Sequence, residues 1–275
     1  MTDGKIIGSW QGKRYDYEDQ EKSTFKFLVN RLSDLHNNFG VVGIKQSFED
    51  EGAVLADVLT MRRITELCNL KMYVKIGGCE AITDINNCAS MGIDYIIPPM
   101  IETSYAFQKF VGAVKNIKDT KFYFLCETQT AYSNLEKILD TPEASILEGI
   151  IVGRSDFTKS YGKDKKEVNS AFISEKVEAI FSSAKSKNLM TTMGGNISVE
   201  SCDFIKKLYT NNLLDKIETR NMVVKLEKDN VENLQQMIKE VISYEIDWLN
   251  FKAMNYNSIG ESYLSRSKVL KERIK

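Results

Sequence analysis

The sequence predicts an α/β fold: a (β/α)8 TIM barrel whose first strand is weak, carrying a C-terminal helical extension. Three observations lead there. Short apolar runs alternate with helix-like stretches along nearly the whole chain, the pattern of repeated βα units. The runs are apolar on successive residues, as in parallel strands buried on both faces. No G-x-G-x-x-G follows the first run, so an open dinucleotide-binding sheet lacks its fingerprint.

In chain order, "KIIGSW" (5–10) is the weak first strand, with "STFKFLVNRLSDLHN" as its helix. "GVVGIK" (40–45) precedes "GAVLADVLTMRRITELCN", and "KMYVKIGG" (71–78) precedes "AITDINNCASMG". "DYIIPPM" (94–100) leads to "SYAFQKFVGAVKN", and "KFYFLCE" (121–127) to "TAYSNLEKILD". "LEGIIVG" (147–153) is followed by a loop and then "SEKVEAIFSSAKSKN". "LMTTMGG" (189–195) precedes "SVESCDFIKKLYTNN", and "KIETRNMVVKL" (216–226) precedes a long amphipathic segment from Val231 to about Phe251. No repeat or low-complexity linker divides the chain. Residues 1–229 are therefore expected to form the barrel, and 230–275 a C-terminal helix and basic tail packed on the barrel or on a neighbouring subunit.

Bulk composition narrows the function classes. With 43% hydrophobic and 27% charged residues and a formal net charge of −1, the chain reads as an ordinary globular protein. That balance argues against a general nucleic-acid or membrane-surface binder. No apolar run approaches the roughly 20 residues of a spanning helix, and the first residues lack the apolar core of a signal peptide. The five cysteines are odd in number and lack metal-ligand spacing, which fits reduced thiols in a cytoplasmic protein. The single histidine, His36, sits in "RLSDLHNNFG" at an expected helix end, a capping position rather than a catalytic one.

In a barrel, residues just past the strand C-termini converge on one mouth, where active sites sit. Those positions hold Lys45, Lys75, Glu102, Glu127, Arg154, Asp156, Asn196, Glu218 and Arg220, interleaved with Gly77, Gly78, Gly153, Gly194 and Gly195. Such glycines let a backbone approach a ligand and offer N–H groups to an anion. Glu127 and Asp156 end consecutive strands, so their carboxylates should be neighbours. Two carboxylates with waters and a substrate oxygen suit Mg²⁺ or Mn²⁺, while an ion pair with Arg154 or Lys75 explains them equally well. Lys45 and Lys75 could bind a carboxylate as point charges or, if desolvated, form a Schiff base. Of the acids in "QSFEDEG", Glu49 is a further candidate at the mouth.

Three of these stretches, "KIGGCEAITDINNCASMGIDYIIPPMIETSYAFQKFV", "CETQTAYSNLEKILD" and "EGIIVGRSDFTKSYG", together resemble the HpcH/HpaI aldolase and citrate lyase β-subunit group of pyruvate/phosphoenolpyruvate barrels. They cover most of residues 40–165, and 189–226 fits more loosely. The resemblance implies that Glu127 and Asp156 are the divalent-metal ligands and that Pro99 and Met100 line the pocket. It also implies Lewis-acid stabilisation of an enolate derived from a small 2-keto acid. Two positions depart from the pattern. Lys75 stands where the group usually has an arginine, keeping the charge but losing the bidentate fork. "GIKQSFEDEG" offers no histidine for proton transfer, leaving Lys45, Gln46, Glu49 or water.

Three functions follow. The first is a metal-dependent carbon–carbon lyase or aldolase on a 2-keto acid of pyruvate or oxaloacetate type. In it Lys75 binds and stabilises the enolate, and Lys45 or Glu49 handles the proton. Gly153, Arg154 and Ser155, with Gly194, Gly195 and Asn196, supply substrate contacts, and Arg154 and Arg220 take a second anionic group. The second is a Schiff-base aldolase using Lys45 or Lys75. The third is a non-catalytic barrel that binds a keto acid or acyl-CoA. A homo-oligomer joined through the C-terminal helix is expected in each.

Overall fold

A computed structural model describes residues 24–49 and 51–273. Helix α1 (Phe25–Phe39) opens on Thr24, whose hydroxyl accepts from the Phe27 N–H at 3.1 Å, and ends on Gly40 at φ +74°. The left-handed turn at Gly40 feeds directly into the first described strand, β1 (Val41–Ser47). There follow α2 (Leu55–Leu67), β2 (Lys71–Lys75), α3 (Ile82–Ser90), β3 (Tyr95–Ile97) and α4 (Ser104–Val114). Next come β4 (Lys121–Cys126), α5 (Gln129–Ser133), α6 (Leu135–Leu139), β5 (Leu147–Gly153) and α7 (Arg154–Ser160). The chain continues through α8 (Ala171–Ser186), β6 (Met190–Gly194), α9 (Cys202–Thr210), β7 (Lys216–Glu218) and β8 (Met222–Lys225). It finishes with α10 (Lys228–Glu232) and α11 (Leu234–Glu272).

The eight strands close into a barrel in chain order. Strands β1 to β7 run parallel, and β8 runs against both β7 and β1. This corrects one expectation. "KIETRNMVVKL" is two strands, not one, because the polar Thr219, Arg220 and Asn221 interrupt the apolar run and turn it back. The Thr219 N–H donates to the Met222 carbonyl at 2.9 Å, and the Thr219 hydroxyl accepts from the Met222 N–H at 3.2 Å. The returning strand fills the gap between β7 and β1. "KIIGSW" lies outside the described residues.

Side-chain alternation, which repeats every second residue in a strand, divides the core in two. Phe122, Phe124 and Cys126 of β4 face the helices and join the outer core, while Tyr123 and Leu125 join Tyr73, Ile97, Ile151 and Val223 inside the barrel. Gly43 and Gly149 make room there: a Cβ at either would fall 2.7 Å from a ring carbon of Tyr73 or Tyr123. The floor is closed by Lys216, whose Nζ lies 3.0 Å from the Tyr123 hydroxyl and within cation–π reach of Tyr73, Tyr95 and Tyr123. Burial pushes the Lys216 ammonium below its ordinary pKa.

Because β8 runs downward, the last helix starts from the floor side. Its buried face, Leu234, Met237, Ile238, Val241, Tyr244 and Trp248, packs on α1 and the barrel wall. Beyond Trp248 the apolar residues Leu249, Tyr256, Ile259, Tyr263 and Leu270 are exposed. Among the described residues no helix is long and apolar enough to cross a membrane.

Candidate active site

The mouth of the barrel is a cleft of about 360 Å³, within the size range of small-molecule sites. Strand register sets its floor. Gly153 pairs with Gly194, Cys126 with Val152, and Met193 with Ile217, so Glu127, Gly153, Gly194 and Glu218 occupy one level on four successive strands. Each glutamate leans over the glycine beside it. A Cβ on Gly153 would lie 3.2 Å from Glu127 Cβ and 3.5 Å from its Oε2, and one on Gly194 would lie 2.7 Å from Glu218 Cγ. The glycines thus provide the room in which two carboxylates converge.

Glu127 is 2% exposed. Its Oε2 accepts from Lys75 Nζ at 3.1 Å and its Oε1 from the Met100 N–H at 3.1 Å. Burial raises the Glu127 pKa, Lys75 and Met100 pull it back, and the Asp156 charge adds to the rise. Asp156 stands in the first turn of α7, half-exposed, with Lys159 Nζ 3.2 Å away. The structure therefore shows the Glu127–Lys75 ion pair. The donor set also fits a magnesium-like ion, which needs only one or two protein carboxylates and keeps its remaining sites for water and substrate oxygens. Among the described residues no group of three or more acidic, histidine or cysteine side chains could hold an ion alone.

The opposite side of the cleft is built on Lys45. Its Nζ donates to Glu218 Oε1 at 2.5 Å. Burial works against its charge, but Glu218, helped by Glu51 and Glu245, holds its pKa above the ordinary value. Lys45 is thus held in an ion pair with Glu218. The β7–β8 turn supports it: the Lys45 N–H donates to the Asn221 carbonyl at 2.7 Å, and Asn221 Nδ2 donates to the Lys45 carbonyl at 3.1 Å. Glu245, carried up by α11, accepts from the Asn221 N–H at 2.6 Å and from the Thr219 hydroxyl, and burial raises its pKa.

Ser155, Gly195, Asn196 and Arg220 line the cleft, with Arg220 on the rim beside Glu51 at 3.4 Å. Five expectations are corrected. Arg154 is fully buried and turned behind β6, where it donates to the carbonyls of Gly194 and Gly195, at 3.1 Å each, and to Asn169 Oδ1 at 2.6 Å; it braces the wall and does not line the cleft. Glu49 is exposed outside the cleft, and Glu51 takes the inward place. Pro99 and Met100 do not line the cleft; the Met100 side chain is exposed and only its N–H serves the site. Glu102 is spent on the Thr128 hydroxyl at 2.6 Å, tying one loop to the next helix cap. The Gly77 N–H is taken by Asp84 Oδ2 at 2.7 Å. His36 lies at the end of α1, against the Val41 carbonyl at 2.7 Å, away from the cleft.

Sequence reasoning missed Glu51, Thr219 and Glu245. Glu245 carried a readable signal: it falls four residues after Val241 and three before Trp248, on the buried stripe of a helix, where a carboxylate is costly unless paired.

No protein-family model matches the chain, and no curated protein sequence does. Solved structures match its shape. An HpcH/HpaI aldolase/citrate lyase family protein from Burkholderia cenocepacia J2315 is 13% identical at TM-score 0.58, covering 80% of this chain and 91% of its own. The HpcH/HpaI aldolase from Desulfitobacterium hafniense DCB-2 is 10% identical at TM-score 0.56, covering 70% and 82%. The citrate synthase SbnG is 12% identical at TM-score 0.54, covering 79% and 98%. The barrel, its level of mouth carboxylates and these matches together give the chain the fold seen in the HpcH/HpaI aldolase and citrate lyase structures.

Proposed function

We propose that the protein is a carbon–carbon lyase of aldolase type acting on a small 2-keto acid, with Mg²⁺ or Mn²⁺ held by Glu127 and Asp156. The observation that carries this reading is the convergence, in one open cleft, of a buried carboxylate, a second carboxylate and an ammonium. A divalent ion held by Glu127 and Asp156 supplies Lewis-acid polarisation of the keto group. Lys75, on its flexible stem, binds the substrate carboxylate or the oxygen where negative charge gathers as the C–C bond breaks. Glu127 orients Lys75 in the ground state. Arg220 on the rim meets a second anionic group. The fold of the matching structures supports this chemistry by analogy.

A Schiff-base route through Lys45 is disfavoured by the charge that Glu218 enforces on it, because an iminium needs a neutral amine. Lys75 keeps that route testable. Oxaloacetate decarboxylation and pyruvate methyl-proton exchange should both be abolished by EDTA and restored by Mg²⁺ or Mn²⁺. Activity that survives EDTA and is trapped by borohydride would assign the reaction to a lysine imine. Keto-acid binding without either reaction, at full metal occupancy, would assign the chain to the binding-protein reading. We further propose that a second copy of the chain covers the exposed apolar residues of α11 beyond Trp248, making a homo-oligomer. A monomer in sedimentation would refute that.

A further inference from the structure

Among the described residues five acids line the cleft: Glu51, Glu127, Asp156, Glu218 and Glu245. Four are committed or wet. Both oxygens of Glu127 receive donors, from Lys75 and Met100. Glu51 receives Asn221 Nδ2 at 3.0 Å and faces Arg220, while Glu245 receives Thr219 and Asn221. Asp156 stands half in solvent. Glu218 differs. The residue is 4% exposed, its Oε1 is fixed by Lys45, and its buried Oε2 has no hydrogen-bond partner among the described residues.

A buried carboxylate oxygen without a donor costs of the order of 1–3 kcal/mol, and more when the group is charged. A glutamate present only to neutralise Lys45 would be spared that cost by any nearby hydroxyl or amide. Instead, Gly194 is kept free of a side chain so that Glu218 can lean into the cleft, at the same strand level as Glu127. Such an oxygen retains the capacity to accept a hydrogen bond or a proton.

We infer that Glu218, positioned by Lys45, is the residue that carries protons to and from the substrate. The inference rests on the lyase reading above and fills the proton-transfer place for which the chain has no histidine in the cleft. In cleavage of an aldol, Glu218 Oε2 takes the proton of the hydroxyl on C4. The C3–C4 bond breaks, its electron pair passes into the C2–C3 enolate, and C4 leaves as a carbonyl. Protonated Glu218 then delivers the proton to C3, giving the 2-keto acid and regenerating the carboxylate. No further reactant is needed. Lys45, whose Nζ donates to Glu218 Oε1, is a positioning residue.

The test uses the metal-loaded full chain with oxaloacetate, followed by decarboxylation, and with pyruvate in D2O, followed by methyl-proton exchange. The wild-type protein should do both. Glu218→Gln should lose exchange by about 10²–10⁴-fold, the range for removal of a positioned general base. Glu218→Ala, which opens a hole the size of the lost carboxylate, should regain exchange on addition of formate. Exchange in Glu218→Gln within about threefold of wild type would overturn the assignment. So would loss in both variants without formate rescue, which would make Glu218 a packing residue. Decarboxylation without exchange in the wild-type protein overturns the assignment while leaving the lyase reading intact. Absence of both reactions overturns the lyase reading itself.

Discussion

Gly194→Ala is the most direct probe of the mouth geometry. The new Cβ would sit 2.7 Å from Glu218 Cγ and 2.8 Å from Oε1, where ordinary van der Waals contact begins at 3.4 Å. Glu218 must therefore retreat by about 0.7 Å, the difference between 3.4 and 2.7 Å. Lys45 pins its Oε1, and burial leaves it little free volume. Backbone strain is not involved, because Gly194 lies outside the left-handed region. Overpacking of this kind costs about 1–3 kcal/mol. For chains of this order that is about 2–4 °C of Tm per kcal/mol, read by thermal unfolding at neutral pH. The decisive comparison is a double-mutant cycle. In a Glu218→Ala background the obstructing atoms are gone, so Gly194→Ala should then cost under about 0.5 kcal/mol. An equal cost in both backgrounds would refute the claim that Gly194 is small because Glu218 lies over it.

Three other outcomes are expected. Lys75→Met strands the buried Glu127 carboxylate and should cost about 3 kcal/mol in denaturant unfolding, the lower end for a broken buried pair because Lys75 is 15% exposed; a loss under about 1 kcal/mol would sink the pairing. Lys216→Met should raise Tm at pH 7. Burial lowers the folded-state pKa of Lys216, so its contribution is favourable above its unfolded pKa and is lost as pH falls through the folded value; the advantage of Met should therefore shrink towards pH 10, and a lower Tm at pH 7 would contradict this. Arg154→Lys should lower Tm markedly, since an ammonium cannot serve the Gly194, Gly195, Val168, Asn169 and Ser201 oxygens together, and an unchanged Tm would show that the brace is dispensable.

The barrel was legible because its strands are apolar runs of the right length, and the mouth because strand ends are readable from where those runs stop. Lys45, Lys75, Glu127 and Asp156 follow from that rule. Arg154 shows its limit: position past a strand end gives a location, not a direction, and the first residue of α7 turns its side chain behind β6. The β7–β8 hairpin was hidden because Thr219, Arg220 and Asn221 include no glycine or proline to announce a turn. Glu245 reaches the mouth only because β8 is reversed, so its place could not be read before the hairpin was known.

The reversed strand also gives the barrel a seam. Strands β1 to β7 are joined by six parallel ladders, whereas closure depends on four-residue β8 alone, with a register irregularity between Val41 and Gly43 where it meets β1. During synthesis β1 and β7 stay as open edges until residues 222–225 have emerged, so a chain stopped short of them is an unclosed sheet exposed to mispairing. In the finished protein the same seam is what joins β7 to β1. Its upper end is the turn that grips Lys45 and Glu245. Opening there would dismantle one wall of the mouth while Glu127 and Lys75 stayed in place on the other, so stability of the seam and competence of the site are one property.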